Sequence, residues 1–226
     1  MAVSDSIPVL AALIGRPQTY GPKGEPSAYY RRPALGPVNV GPLGIDGDEQ
    51  ADMAAHGGVD KALHHYPFDH YATFAAERPD LARVFDYGYG VFAENVAAAG
   101  WTEWDVCLGD RFLLGTVEVE LSEGRSPCWK LAHRFGDPSM VEAVVRTRRA
   151  GWYYRVLTPG SFGRGDMLRR VARPYPEWPV ARAFGILVAG VKDPAGLAEL
   201  DAMTGLGIGW RVRVDALTAA ASRQRS

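Results

Sequence analysis

The chemistry available to this chain gathers around one of its two cysteines and along a histidine-bearing glycine turn. Cys128 lies in Gly124-Arg125-Ser126-Pro127-Cys128-Trp129-Lys130. Ser126 can cap a helix, and Pro127 suits the first helical position. The spacing predicts Cys128 in the first turn, where the macrodipole stabilises a thiolate, with Arg125 and Lys130 adding positive charge. A thiolate is both the attacking form of cysteine and a ligand for soft metals. The competing reading is a packing role, since free cysteine is among the most buried residue types, and the residues alone leave the two evenly matched. Cys107, in Trp104-Asp105-Val106-Cys107-Leu108-Gly109, has apolar neighbours and no adjacent cation. It reads as a core residue. Two cysteines make neither a disulfide framework nor a paired zinc knuckle.

The second segment runs His56-Gly57-Gly58-Val59-Asp60-Lys61-Ala62-Leu63-His64-His65-Tyr66-Pro67. Gly57-Gly58 allows close approach of backbone to a ligand or a positive φ. If 62–66 is a strand, His64 and His65 point to opposite faces and cannot ligate one metal together. No metal-typical spacing supports a zinc site from these histidines and Cys128. A histidine beside a glycine turn, as His56 is, more often makes structural hydrogen bonds. In Phe92-Ala93-Glu94-Asn95-Val96, Glu94 and Asn95 could bind a polar ligand, but capping of local turns is the simpler reading.

Short elements must position these groups. Glycine and proline, 26 and 16 of them, cut the first 170 residues into small pieces. Strands are expected at 9–14, 37–43, 62–66, 87–91, 112–114, 117–121, 152–157 and 167–171, with 17–44 otherwise loop. Gly115-Thr116 predicts a hairpin turn, and Val117, Val119 and Leu121 alternate with Glu118 and Glu120. Helices are expected at 70–76 and 139–149. Many short strands between turn signals favour a barrel or sandwich. Arg173-Pro174-Tyr175-Pro176-Glu177-Trp178-Pro179 reads as a stiff linker. Three helical patterns follow: 179–188, one opened by Asp193 as cap and Pro194 at the first position, and one carrying Trp210, Val214, Leu217 and Ala221. The expected organisation is therefore a β-rich domain over 1–173 and a small three-helix subdomain over 174–226.

A net charge of −1 gives no bulk attraction to nucleic acid or to anionic membrane. The N-terminus lacks the cationic start of a secretory signal, and the longest apolar stretch, 180–191, is too short to span a bilayer. A cytoplasmic protein is the expectation.

The ordered series Gly47-Asp48-Glu49-Gln50-Ala51-Asp52, His56 through Ala62, His64-His65-Tyr66-Pro67, Phe92 through Val96, Cys107 through Phe112, and Arg125-Ser126-Pro127-Cys128-Trp129-Lys130-Leu131 resembles the MOSC-domain family, in its YiiM-like group. The resemblance runs over roughly residues 9–215. It departs at Ala93, where glycine is usual, and at Glu123-Gly124, where Gln-Pro is common.

The resemblance implies a mainly β fold with helices: a MOSC-type β-barrel followed by the C-terminal helices. It implies a molybdenum cofactor of the molybdopterin type, with Cys128 as its metal ligand and catalytic residue. Cofactor binding falls to His56, Gly57, Gly58, Lys61, Asn95, Arg125 and Lys130. Cations and glycine-loop amides suit an anionic pterin. The implied activity is reduction of small N-hydroxylated compounds of the hydroxylaminopurine type. No flavin or iron–sulfur motif is visible, so separate electron-transfer proteins would supply electrons. The alternative is a carrier of the cofactor, or of sulfur, without reductase activity. A homodimer is the default assembly.

Overall fold

Apolar runs bounded by glycine and proline become the staves of one closed sheet. The structure, a computed structural model, describes residues 4–51 and 57–223. Its strands are β1 (Ser6–Ile14), β2 (Gln18–Thr19), β3 (Pro26–Ser27), β4 (Arg32–Pro33), β5 (Val38–Gly41), β6 (Gly44–Ile45), β7 (Leu63–Pro67), β8 (Val96–Ala98), β9 (Arg111–Leu114), β10 (Val117–Gly124), β11 (Trp152–Thr158), β12 (Gly160–Phe162) and β13 (Met167–Ala172). Its helices are α1 (Asp69–Glu77), α2 (Ala82–Phe85), α3 (Trp129–Phe135), α4 (Ser139–Thr147), α5 (Val180–Leu187), α6 (Pro194–Ala202) and α7 (Ile208–Arg223).

Seven strands pair in the order β13-β9-β10-β11-β7-β8-β1, and β1 pairs back onto β13. β1 closes the barrel by dividing its length: residues 6–8 face β13, residues 9–12 face β8, and the register shifts between Val9 and Ala11. The β7–β8 pair is parallel, with His65 opposite Val96. Leu63, Phe112, Leu114, Val119, Leu121, Tyr154 and Leu168 are buried in the core. The expected hairpin forms, with Leu114 paired to Val117 across Gly115-Thr116. Gly115 takes φ 57°, and a β-carbon there would meet Ser161 O at 2.5 Å.

Two local expectations change. Residues 87–91 are turns rather than a strand, because Gly88 and Gly90 adopt φ 75° and 91°, outside extended geometry. The strand in this region is β8, which inserts between β7 and β1. The helix expected to reach Arg149 stops at Thr147, where Arg148 turns left-handed at φ 57°. The 17–44 loop carries the short pairs β2–β3 and β4–β1.

Residues 173–179 lie along the barrel wall. Arg173 is bound to the fully buried Asp110, and Leu108 N–H donates to Trp178 O at 3.0 Å. Trp178 is itself buried. One apolar core then runs from the barrel into the helices through Trp152, Val180, Phe184, Trp210 and Val214. Asp193 caps α6 as expected, accepting from Gly196 N–H at 2.8 Å. Among the described residues no helix is long and apolar enough to cross a membrane.

Asp110 also accepts the Cys107 N–H at 2.9 Å, so one buried carboxylate holds both the loop before β9 and the proline segment. Asp110→Ala is expected to cost about 2–3 kcal/mol in chemical denaturation, because it strands Arg173 and a buried amide. A loss below about 0.5 kcal/mol, the range of ordinary surface changes, would contradict this role.

Candidate functional site

β7 sorts its two histidines by alternation. His65 faces the barrel interior, with Nδ1 3.0 Å from the Tyr154 hydroxyl and its ring against Trp152 at 4.3 Å. Burial pushes its pKa down to about 3. His64, on the opposite face of β7, lines a cleft together with Tyr29, Arg31, Gln50, Lys61, Ala93, Asn95, Arg125, Lys130 and Tyr153. His64 Nδ1 lies 3.2 Å from the Ala93 carbonyl. A carbonyl only accepts, so Nδ1 carries the proton and Nε2 presents a lone pair. Among the described residues, that Nε2 has no hydrogen-bond partner. Burial, then the charges of Arg125 and Arg31, hold the imidazole well below its usual pKa and therefore neutral.

Four cations line this cleft. Arg31 is fixed by Asp48 at 2.8 Å and donates to Ala93 O at 2.7 Å. Ala93 can offer its carbonyl to both Arg31 and His64 because it sits at φ 60°. That left-handed backbone explains why glycine is the usual residue in the resembled motif: a β-carbon is strained there. Lys61 stands on a 3-10 turn, Val59–Lys61, that Gly58 opens at φ 95°. Its Nζ is 3.6 Å from Glu123 and 5.9 Å from the centre of the Tyr153 ring. Arg125 is buried, 5.9 Å from the Tyr29 ring centre. Burial alone pulls its guanidinium down, but Tyr29, Tyr153 and Cys128 outweigh it and keep Arg125 charged. Burial likewise pushes the Tyr29 hydroxyl up to about 12.

Cys128 is placed two positions earlier in the helix than the spacing predicts, at the cap instead of inside the first turn. It is the N-cap of α3, extended at φ −136° and ψ 177°, and partly exposed. Ser126 and Pro127 precede the helix instead of opening it. Cys128 is outside the cleft lining, on the chain between Arg125 and Lys130, which are part of it. It is nevertheless an electrostatic neighbour of Tyr20, Tyr29, Arg125 and Tyr153. The Tyr20 hydroxyl anchors this segment by donating to Lys130 O at 2.7 Å. Cys107 lies apart, buried, with Sγ 3.5 Å from Pro176 O, and burial raises its thiol to about 11.

Of the residues picked out in the sequence, Lys61, Asn95, Arg125 and Lys130 meet in the cleft. Asn95 is committed to its neighbours there: it accepts from His64 N–H and donates to Leu13 O and Asp48. Gly57 and Gly58 are not among the lining residues, although Gly58 opens the turn that carries Lys61. His56 lies outside the described residues. Glu94 is fully buried and takes the Gly90 and Phe92 amides and the Tyr71 hydroxyl, which bears out its turn-capping role. Sequence reasoning missed Tyr29, Arg31, Gln50 and Tyr153. Arg31 and Tyr29 come from a loop with no periodic signal, and Tyr153 from a strand read only as buried. Among the described residues no group of three His, Cys, Asp or Glu side chains is placed to hold a metal ion.

The two buried neutral histidines set a pH dependence. Above about pH 6.5 both folded and unfolded chains hold them neutral. Below that value the unfolded chain takes up protons that the folded chain refuses, so stability falls as pH drops, levelling off for His65 near pH 3. Each histidine contributes a slope approaching about 1.4 kcal/mol per pH unit. Denaturation between pH 7 and pH 5 should show this loss, and His65→Gln should reduce the slope. An unchanged slope in that variant would rule out His65 as a source.

Comparison with known proteins places this cleft in a family. The MOSC domain matches residues 52–169. A Gibberella moniliformis protein named "Reductase" is 41% identical over 164 residues, covering 72% of this chain but 29% of that protein. The chain therefore spans under a third of that relative's length. Escherichia coli "Protein YiiM" is 38% identical over 159 residues, covering 70% of each chain. The crystal structure of YiiM from Escherichia coli superposes with a TM-score of 0.76 at 28% identity, covering 96% of this chain and 94% of that one. YiiM from Geobacillus stearothermophilus gives 0.75 at 28% identity, covering 93% and 98%. The chain belongs to the MOSC-domain family, in its YiiM-like group.

Proposed function

We propose that this chain is a molybdenum-cofactor-dependent oxidoreductase that reduces small N-hydroxylated compounds, of the hydroxylaminopurine type, with electrons from separate electron-transfer proteins. The observation that carries the reading is the cleft itself: Arg31, Lys61, Arg125 and Lys130 converge on it, and Cys128 lies on the chain between the last two. The family is associated with the molybdenum cofactor in general, and one relative bears the name "Reductase".

The residues present fit such a group. An anionic pterin brings phosphate, which the four cations attract and which arginine can bind with two parallel hydrogen bonds. A pterin also brings N–H donors. Among the described residues, His64 Nε2 and Gln50 Oε1 are buried acceptors in the cleft with no partner. Buried acceptors left unsatisfied are costly, so a ligand with donor edges is well matched to them. Cys128 would hold the metal, because a soft thiolate suits a sulfur-rich centre. Gly58 would contribute indirectly, by opening the turn that carries Lys61.

When bound, the cofactor supplies two-electron chemistry at the substrate N–O bond. The net change consumes two electrons and two protons: R–NHOH becomes R–NH2 and water. The chain's own residues bind and orient. Neutral His64 accepts a hydrogen bond at Nε2 and has no proton there to give. Arg125 keeps its charge while buried, so it offers a donor of fixed position at all working pH values.

Exchange of each cysteine tests the assignment. Cys128→Ser should fold normally, because the site is partly exposed, and should lose molybdenum and turnover with N-hydroxylated purines. Cys107→Ser should keep both and lose about 1 kcal/mol of stability, since its hydroxyl retains the Pro176 carbonyl as partner. Full metal content and turnover in the Cys128 variant would overturn the assignment. Cofactor binding without turnover across several hydroxylamines and donors would point to a carrier instead.

A further inference from the structure

Glu123 is one of the two positions where the chain departs from the motif it resembles, and nothing in the proposed reaction uses it. It is a buried carboxylate at the end of β10, beside a register shift in the β10–β11 pair. One oxygen lies 3.6 Å from Lys61 Nζ, and the other accepts the Trp210 N–H at 2.9 Å. Trp210 is in the first turn of α7, whose orphan amides attract negative charge. Asp60, next to Lys61, accepts the Ile208 N–H at 2.9 Å, and Ser122 O accepts the Gly207 N–H at 2.9 Å. The barrel thus grips the start of α7 at three points, two of them carboxylates flanking the cleft lysine.

The chain is shaped to admit this contact. A β-carbon at Gly207 would come within 2.6 Å of Glu123 Oε2, and one at Gly209 within 2.7 Å of Oε1. A β-carbon at Gly124 would meet the Trp210 ring at 2.5 Å. Three glycines therefore clear the space in which Glu123 and Trp210 meet. Burial pushes the Glu123 carboxyl up, while Lys61 and the Trp210 amide pull it back. A buried carboxylate depends on such partners.

We propose that Glu123 is a positioning residue that holds Lys61 at the cleft wall and ties the charge of Lys61 to docking of the α7 N-terminus. Lys61 has Glu123 behind it and lines the cleft in which an anion would bind. Attraction to the ligand draws on the same charge that stabilises Glu123. Cleft occupancy and the grip on α7 are then linked, and linkage is reciprocal. This rests on the reading of the cleft as an anion site.

The test uses the full chain without cofactor and inorganic pyrophosphate as probe. In the first arm, without probe, Lys61→Met should speed hydrogen exchange at the Trp210 amide by roughly tenfold or more while the Tyr154 amide in β11 is unchanged. Unchanged exchange at Trp210 overturns the proposal. In the second arm, Glu123→Gln, which keeps an acceptor for Trp210, should bind pyrophosphate roughly three- to tenfold more tightly at low salt than the wild type. The same substitution in the Lys61→Met background should give no tightening. Equal tightening in both backgrounds, or none in either, overturns the link through Lys61. Failure of the wild type to bind pyrophosphate refutes the anion reading of the cleft, and the first arm still decides the Lys61–Glu123–Trp210 connection by itself.

Discussion

Mutual repulsion among four cations is the constraint around which the cleft is organised. Arg31, Lys61, Arg125 and Lys130 line one small space, and Arg125 is buried within it. Two like charges a few ångströms apart in a protein repel by several kcal/mol even at an effective dielectric constant of about 20. The fold answers with anions and hydroxyls set just behind the cations. Asp48 takes Arg31, Glu123 takes Lys61, and Tyr29 and Tyr153 flank Arg125. These groups hold the cations in place at the cleft wall.

Those backing groups explain much of the local architecture. Asp48 accepts from Gly15 N–H, Arg31 and Asn95, so it staples the end of β1 to two loops. Asn95 in turn accepts from His64 N–H. The parallel β7–β8 pairing places these residues side by side. Alternation along β7 then sends His65 inward as packing and His64 toward the cleft as an acceptor. Glu123 extends the same logic outward, because it reaches both Lys61 and the start of α7.

Sequence patterning made the barrel legible wherever alternation or a turn signal was strong. β9, β11, β13 and the Asp193-capped helix sit within a residue or two of where pattern places them, and β10 starts at the expected Val117 but runs three residues further, to Gly124. It failed where glycine decided the backbone. Tyr87 to Val91 has strand-like residues, but Gly88 and Gly90 turn the chain. β8 was hidden in three small residues, Val96-Ala97-Ala98, whose extension depends on neighbours on both sides. In the site, Lys61, Arg125 and Lys130 were legible because they flank motifs. Arg31 and Tyr29 were not, because a loop residue joins a site only through tertiary contacts such as the Asp48 pair. At Cys128 the helix begins two residues later than the cap signal at Ser126 predicts, so that the cysteine itself is the cap.

The proposed role of this cationic cleft and its neighbouring thiol is to house a molybdenum–pterin cofactor. The most direct measurement is the metal and pterin content of the protein purified from a host able to make the cofactor. The account predicts stoichiometric molybdenum accompanied by pterin. Stoichiometric zinc with neither molybdenum nor pterin would contradict it.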